Sequence, residues 1–137
     1  MILDQISITN FGLYKGSNSI LLTPNLLGNR NITVLSGQNG VGKSTLLEAI
    51  HLCLLGSLSI DNRLSEANYE KYLFKRSYKS SEQKTVASTI ELTIEFVKSG
   101  EPVKYKISRS WKNNADNVDE QIEIEENGKV TIIKLPM

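Results

Sequence analysis

The chain has 137 residues, of which 39% are hydrophobic and 23% are charged, and its formal net charge at pH 7 is +1. This composition indicates one globular domain with a real core, and it excludes a disordered chain and a uniformly basic nucleic-acid-binding surface. The longest apolar stretch, residues 52–55, is too short to cross a bilayer, and the N-terminus lacks a signal-peptide pattern, so we expect a cytoplasmic protein with no membrane contact. The single cysteine, Cys53, excludes an internal disulfide and suits core packing in an apolar helix.

The first 36 residues predict two structural units. Ile2, Ile6 and Ile8 are evenly spaced, and an apolar stretch at 20–22 follows a turn-rich segment at 12–19, which predicts an N-terminal β-hairpin. The segment 31–36, Asn-Ile-Thr-Val-Leu-Ser, is apolar and β-branched, as a buried parallel strand is.

Residues 36–45 read Ser-Gly-Gln-Asn-Gly-Val-Gly-Lys-Ser-Thr and contain the Walker A pattern G-x-x-x-x-G-K-[ST]. The apolar residues of 43–55 predict a helix that stops at Gly56, so strand, glycine loop and helix follow in the order of a P-loop. Glycines let backbone N–H groups turn toward phosphates at the positive end of the helix dipole. The predicted nucleotide-binding residues are Gly37, Gln38, Asn39, Gly40, Val41, Gly42, Lys43, Ser44 and Thr45.

Three of these residues have separate predicted roles. Lys43 reaches the β and γ phosphates, Ser44 provides a hydroxyl ligand to Mg²⁺, and Thr45 lies near the α phosphate. The predicted cofactors are therefore ATP and Mg²⁺. A glycine-rich turn without a ligand is the alternative, and we disfavour it because a plain turn has no use for Lys-Ser-Thr at this position.

The middle of the chain predicts a second helix and a basic cluster. Tyr69, Tyr72, Leu73 and Arg76 fall on one helical face, which we interpret as mostly core, with base stacking as the less favoured alternative. The cluster consists of Lys71, Lys75, Arg76, Lys79 and Lys84. We favour a solvated surface over a contact with a nucleic-acid backbone.

From Val86 onward the pattern is that of strands throughout. Apolar and polar residues alternate, with turns at 99–102 and 113–117 and a two-residue hairpin signal at Asn127-Gly128. Arg109 falls on the apolar side of its strand, which indicates a buried ion pair or a contact with an anion, and we prefer the ion pair. The fold class is therefore α/β, with an antiparallel β meander packed on the P-loop helix.

The residues that complete a triphosphatase are not recognisable in the sequence. A carboxylate at the end of a buried strand has to hold Mg²⁺, and no run of four apolar residues ends in Asp or Glu. The only histidine, His51, has no visible catalytic partner and is expected on the less buried side of its helix. We expect the chain to bind ATP without hydrolysing it alone.

Three segments carry a family resemblance. Ile8-Thr-Asn-Phe11, the block from Ser36 to Ile50 and Ser108-Arg-Ser-Trp111 resemble the N-terminal lobe of the ATPase heads of SMC-like proteins, which have an ABC-type P-loop NTPase fold. Within that group, the segments 10–16, 69–73 and 109–111 look most like the DndD family, the ATPases of DNA phosphorothioation, or DNA sulfur modification. The resemblance covers essentially the whole chain.

The resemblance implies an assembly. In such heads a coiled coil separates this lobe from a C-terminal ATPase lobe, which carries the acidic strand end and the signature loop. Two heads dimerise around two ATP molecules, and a glutamine following the meander touches Mg²⁺. We therefore expect residues 1–137 to be a truncated lobe or a split half, with the C-terminal lobe, a second head, DNA and other phosphorothioation proteins as partners. Many such heads have a basic residue after Asn-Phe, where this chain has Gly12, so Lys15 becomes the candidate nucleotide contact on the hairpin.

Other functions stay open. A RecF-like or other SMC-type DNA repair ATPase is the alternative within the class. A small-molecule kinase or GTPase shares the P-loop, but the chain has no Asn-Lys-x-Asp guanine-reading motif. A binding module whose P-loop has only a structural role is the remaining possibility.

Overall fold

The computed structural model describes residues 1–23, 32–59, 66–78, 87–114 and 117–135. Their elements are β1 (Ile2–Phe11), β2 (Tyr14–Leu21), α1 (Lys43–Leu55), a 3₁₀ turn (Gly56–Ser59), α2 (Glu66–Arg76), β3 (Ala87–Lys98), β4 (Glu101–Asn113), β5 (Val118–Glu126) and β6 (Lys129–Leu135). The strands form one sheet in the order β2-β1-β3-β4-β5-β6, in which every neighbouring pair is antiparallel. Neither described helix has the length and apolar character that crossing a membrane requires.

One face of the sheet forms the core beneath the helices. Alternation along the strands puts Ile6, Leu92 and Trp111 on this face, where each is almost fully buried. Residues such as Glu91 project their side chains from the opposite, polar face. The helices contribute the buried Ala49, Leu52, Cys53, Tyr69 and Leu73. The Trp111 and Phe11 rings pack edge to face with centroids 5.8 Å apart, and Trp111 Nε1 donates to Ser77 Oγ at 2.9 Å. The predicted packing of an antiparallel sheet on the P-loop helix is confirmed.

The two terminal hairpins agree with the sequence to different degrees. Asn127 and Gly128 have φ angles of 47° and 86°, so the left-handed two-residue turn between β5 and β6 is confirmed. The N-terminal hairpin forms, but the predicted turn at 12–19 is wrong, because only Gly12 and Leu13 separate β1 from β2. The early part of β2 is polar because it is an edge strand, in which alternate residues face solvent.

The predicted strand at 31–36 is wrong for the residues that the structure describes. Asn31 lies outside them, and residues 32–38 adopt no strand; Ile32 is 80% exposed and Val34 is 79% exposed. A buried parallel strand requires hydrogen-bonded neighbours and cover on both faces, whereas the described strands pair only in the antiparallel sheet. The Thr33 hydroxyl instead donates to the Leu22 carbonyl at 3.2 Å. An apolar segment that leads into the glycine loop is thus left on the surface.

Candidate nucleotide-binding site

The glycine loop begins in an exposed segment and ends on the first turn of α1. Gly40 and Gly42 have φ angles of 84° and 107°, in the left-handed region that favours glycine, and Gly42 is the N-cap of α1. A Cβ on Gly37 would lie 2.8 Å from Val41 Cγ2, so a larger residue there would require the Val41 side chain to shift. The left-handed backbone at Gly40 and Gly42 therefore gives the loop its tight curl.

Lys43 spans this curl. Its Nζ donates to the carbonyl oxygens of Gly37 and of Gln38, the second at 2.9 Å. The ammonium group thus lies inside the loop, beside the first peptides of the motif. Lys43 and Ser44 are both exposed, whereas Thr45 is buried at the base of the loop. The first turn of α1 carries no acidic side chain, so its positive dipole end and the lysine charge act together on whatever enters the loop.

The turn between β1 and β2 packs against the start of α1. The Tyr14 hydroxyl donates to the Gly42 carbonyl at 3.1 Å, and a Cβ on Gly42 would lie 3.2 Å from the Tyr14 ring. A Cβ on Gly12 would lie 2.5 Å from Thr45 Cγ2, so glycine is required at the closest approach. Lys15 is exposed and follows Tyr14 in β2, so its side chain projects from the face of the strand opposite to that of Tyr14. Sequence reasoning missed Tyr14, which contacts the loop, because no motif marks it; a role for Lys15 stays a prediction.

A polar network ties α2 to α1 next to the loop. Arg76 Nε donates to Glu48 Oε1 at 2.9 Å and Nη2 donates to Oε2, while Tyr72 donates its hydroxyl proton to Oε1. The same Nη2 lies 3.4 Å from Thr45 Oγ1, and the guanidinium lies 5.2 Å from the centroid of the Phe11 ring. Burial, and next the bond to Glu48, raises the pKa of Tyr72 above its usual range. Both Glu48 oxygens thus accept hydrogen bonds that join α2 to α1.

The members of the predicted basic cluster therefore have different surroundings. Arg76 is half-buried in this network and is not a solvated charge, whereas Lys71 and Lys75 are exposed on α2. Lys79 and Lys84 lie outside the described residues. The predicted core character of the Tyr69, Tyr72, Leu73 and Arg76 face is confirmed, because Tyr69 and Leu73 are buried and the other two make the contacts with Glu48.

The preferred interpretation of Arg109 as half of a buried ion pair is confirmed. Its Nη1 donates to Glu120 Oε1, and both side chains are almost fully buried. Tyr69 donates to the same oxygen at 2.7 Å, and burial followed by the Glu120 charge raises the pKa of its hydroxyl. A Cβ on Gly56, whose φ is 57°, would lie 3.0 Å from both terminal nitrogens of Arg109. The glycine that stops α1 therefore also makes room for the guanidinium.

His51 and Cys53 differ sharply in burial. His51 is exposed, as expected, and Cys53 is buried, with its Sγ 3.5 Å from the Ile90 carbonyl oxygen. Burial raises the pKa of the Cys53 thiol to about 12, so the thiolate is strongly disfavoured at neutral pH. Across the described parts of the chain, no three His, Cys, Asp or Glu side chains come together in a way that could hold a metal.

Comparison with protein families adds an independent observation. The family model of the AAA domain AAA_23 matches residues 5–134, which is nearly the whole chain. The chain belongs to this AAA domain family. The AAA_23 domain is a domain of SMC-like ATPases, which agrees with the resemblance at the class level and goes no further toward any one member. No curated protein matches the chain significantly. In this AAA domain the glycine loop, Tyr14 and the Arg76 network all meet at the start of α1.

Proposed function

We propose that this AAA domain is the ATP-binding lobe of an SMC-like ATPase that acts on DNA. The observation that carries the proposal is the tight glycine loop with Lys43 inside it, opening at the first turn of α1. A loop of this shape can bring several backbone N–H donors and one full positive charge close to a bound polyanionic ligand. The adenine preference rests on the absence of a guanine-reading motif from the sequence.

The residues present fit a magnesium nucleotide. Lys43 and the loop N–H groups would hold the phosphates, and the exposed hydroxyl of Ser44 would be the protein's ligand to Mg²⁺. The metal would supply charge neutralisation on the phosphates. Positions 37, 40 and 42 are glycines and carry no side chain of their own into the loop.

The exposed apolar surface beside the loop supports a partner lobe. Ile32, Val34 and Leu35 lead into the loop, and Leu47 and Leu58 on and after α1 are 57% and 67% exposed. A groove lined by Ser44, Glu48, His51 and Tyr72 begins in the same region. Several exposed large apolar side chains near one loop support an interaction site there. The proposed occupant is the C-terminal lobe of the same ATPase, which would add strands beside residues 32–36 and the acidic group for Mg²⁺.

The finer proposal is a DndD-type role in DNA phosphorothioate modification, with a second head, DNA and other phosphorothioation proteins as partners. It is supported by the sequence resemblance at 10–16, 69–73 and 109–111. In the structure Asn10 accepts from Gly16 N–H at 2.8 Å, and Tyr69 and Arg109 both contact Glu120, so these segments form two local structural units. A RecF-like or other SMC-type repair ATPase is the competing assignment. Genes for a cysteine desulfurase and a sulfurtransferase beside this one would favour phosphorothioation, and a genome without them would favour repair.

The test of the site is Lys43→Ala, measured by calorimetry with ATP and Mg²⁺. We expect a loss of at least about 2 kcal/mol in binding free energy, because a charge-assisted contact with phosphate disappears. Lys71→Ala is the matched control, since it removes the same charge from an exposed position on α2. Unchanged ATP affinity in a folded Lys43→Ala chain would refute the site, and tighter binding of GTP than of ATP would refute the adenine assignment.

A further inference from the structure

Arg76 lies next to the glycine loop, and some of its guanidinium N–H groups make no hydrogen bond within the described structure. Arg76 has five N–H donors, of which Nε and Nη2 serve Glu48 and Thr45. Among the described residues, the two N–H groups of Nη1 have no hydrogen-bond partner. The Arg76 side chain as a whole is 30% exposed.

The position of this group relates it to a specific part of a nucleotide. Nη2 lies 3.4 Å from Thr45 Oγ1, and Thr45 is the motif residue expected next to the α phosphate. A Cβ on Gly12 would lie 3.1 Å from Nη2, so the glycine on the hairpin turn leaves the guanidinium its space. The α-phosphate side of the loop is thus bordered by Gly12, Thr45 and Arg76.

The guanidinium is also held in place before any ligand arrives. Glu48 engages it through two nitrogens, and the Phe11 ring lies beneath it. A planar, doubly anchored arginine loses little conformational entropy when it binds an oxyanion, and its fork suits phosphate oxygens. Glu48 in turn accepts a hydrogen bond from Tyr72, which fixes the carboxylate.

We propose that Arg76 is a nucleotide-contacting residue, which donates from Nη1 to an oxygen of the α phosphate of the bound nucleotide. This inference rests on the proposed function, because it requires a nucleotide in the glycine loop. Arg76 thereby adds a contact from α2 to a site that the motif places entirely in the loop and α1. Since the α phosphate is common to ATP and ADP, the contact serves both nucleotides.

The experiment compares Arg76→Gln, Glu48→Gln and Lys75→Gln in the full 137-residue chain. The probes are ATP, ADP and the two diastereomers of adenosine 5′-O-(1-thiotriphosphate), with Mg²⁺. Arg76→Gln should weaken ATP and ADP by a similar factor of at least about ten, the size of one hydrogen bond to a charged group. It should also reduce the preference between the diastereomers, because one non-bridging α oxygen loses its partner.

The other two variants distinguish a direct contact of Arg76 with the nucleotide from a structural role in joining α2 to α1. Glu48→Gln weakens the anchoring of the guanidinium but leaves its charge and its Nη1 donors in place, so it should reduce ATP affinity less than Arg76→Gln does and should keep the diastereomer preference. Lys75→Gln removes a positive charge from the exposed side of the same helix and should leave affinity within about twofold of wild type. Trp111 fluorescence reports in each case that the chain is folded.

Distinct results overturn the two proposals. A wild-type chain that binds no ATP overturns the proposed function and this inference with it. Normal wild-type binding together with an Arg76→Gln chain of unchanged affinity and unchanged diastereomer preference overturns only the role of Arg76. Equal losses in Arg76→Gln and Glu48→Gln, with the diastereomer preference retained, also overturn it and assign the pair to joining the two helices.

Discussion

Replacing Glu120 by Gln tests how the core tolerates its buried charges. Glu120 is 3% exposed and Arg109 is 5% exposed, and the pair joins β5 to β4 beneath the end of α1. Glutamine keeps the size of the side chain and one carbonyl oxygen for Tyr69 and Arg109, but it leaves the arginine charge buried without a counter-ion. The variant therefore isolates the charge, with little change in volume.

The expected loss is large compared with the stability of the domain. Removing one partner of a buried ion pair costs about 3–5 kcal/mol. A domain of 137 residues has a total unfolding free energy of roughly 7–20 kcal/mol at the usual value per residue. With a urea dependence of about 2 kcal/mol per molar, the unfolding midpoint should fall by roughly 2 M.

Urea unfolding followed by Trp111 fluorescence measures this shift, because Trp111 is the only tryptophan and is 1% exposed. Glu91→Gln is the matched control, since Glu91 pairs with Lys106 at 3.2 Å on the polar face and should cost less than about 1 kcal/mol. Replacing the whole cluster by apolar groups, with Arg109→Met, Glu120→Leu and Tyr69→Phe together, should recover most of the loss. A loss in Glu120→Gln no larger than that in Glu91→Gln would contradict the cost assigned to the buried arginine charge.

Two further predictions concern a buried thiol and turnover. Because burial raises the pKa of Cys53 to about 12 from an ordinary value of 9.0, the folded chain holds this proton more tightly than the unfolded chain. Stability should therefore fall as the pH rises from about 9 toward 12, and Cys53→Ala should reduce the loss in urea midpoints measured between pH 8 and pH 10.5. The chain alone should release no appreciable phosphate from ATP, and addition or fusion of the C-terminal lobe should restore turnover, because positioning of water and metal is required as well as binding. Lone-chain turnover of about 1 s⁻¹ that disappears in Lys43→Ala would contradict the proposal that turnover requires a C-terminal lobe.

Some features were predictable because they depend on local chemistry. The glycines of the loop and the Asn127-Gly128 turn need left-handed backbone, which few other residues adopt, so their positions mark the turns directly. The apolar spacing of α1 and the glycine after it gave its bounds, Lys43 to Leu55. Strict alternation gave the sheet faces, and a lone arginine on an apolar face required a counter-ion.

The tertiary structure decided what depends on partners distant in sequence. The composition of 31–36 suits a buried strand, but burial requires neighbours, and the described strands provide none beside residues 32–36. The acidic partner of Arg109 could be any of several carboxylates in the sequence until the pairing of β4 with β5 selected Glu120. Arg76 belongs by composition to a basic cluster, and only the packing of α2 on α1 turned it toward Glu48 and Thr45. The sequence determines the chemistry of each residue. Which residue becomes its partner depends on contacts between distant segments, and only the folded chain brings these together.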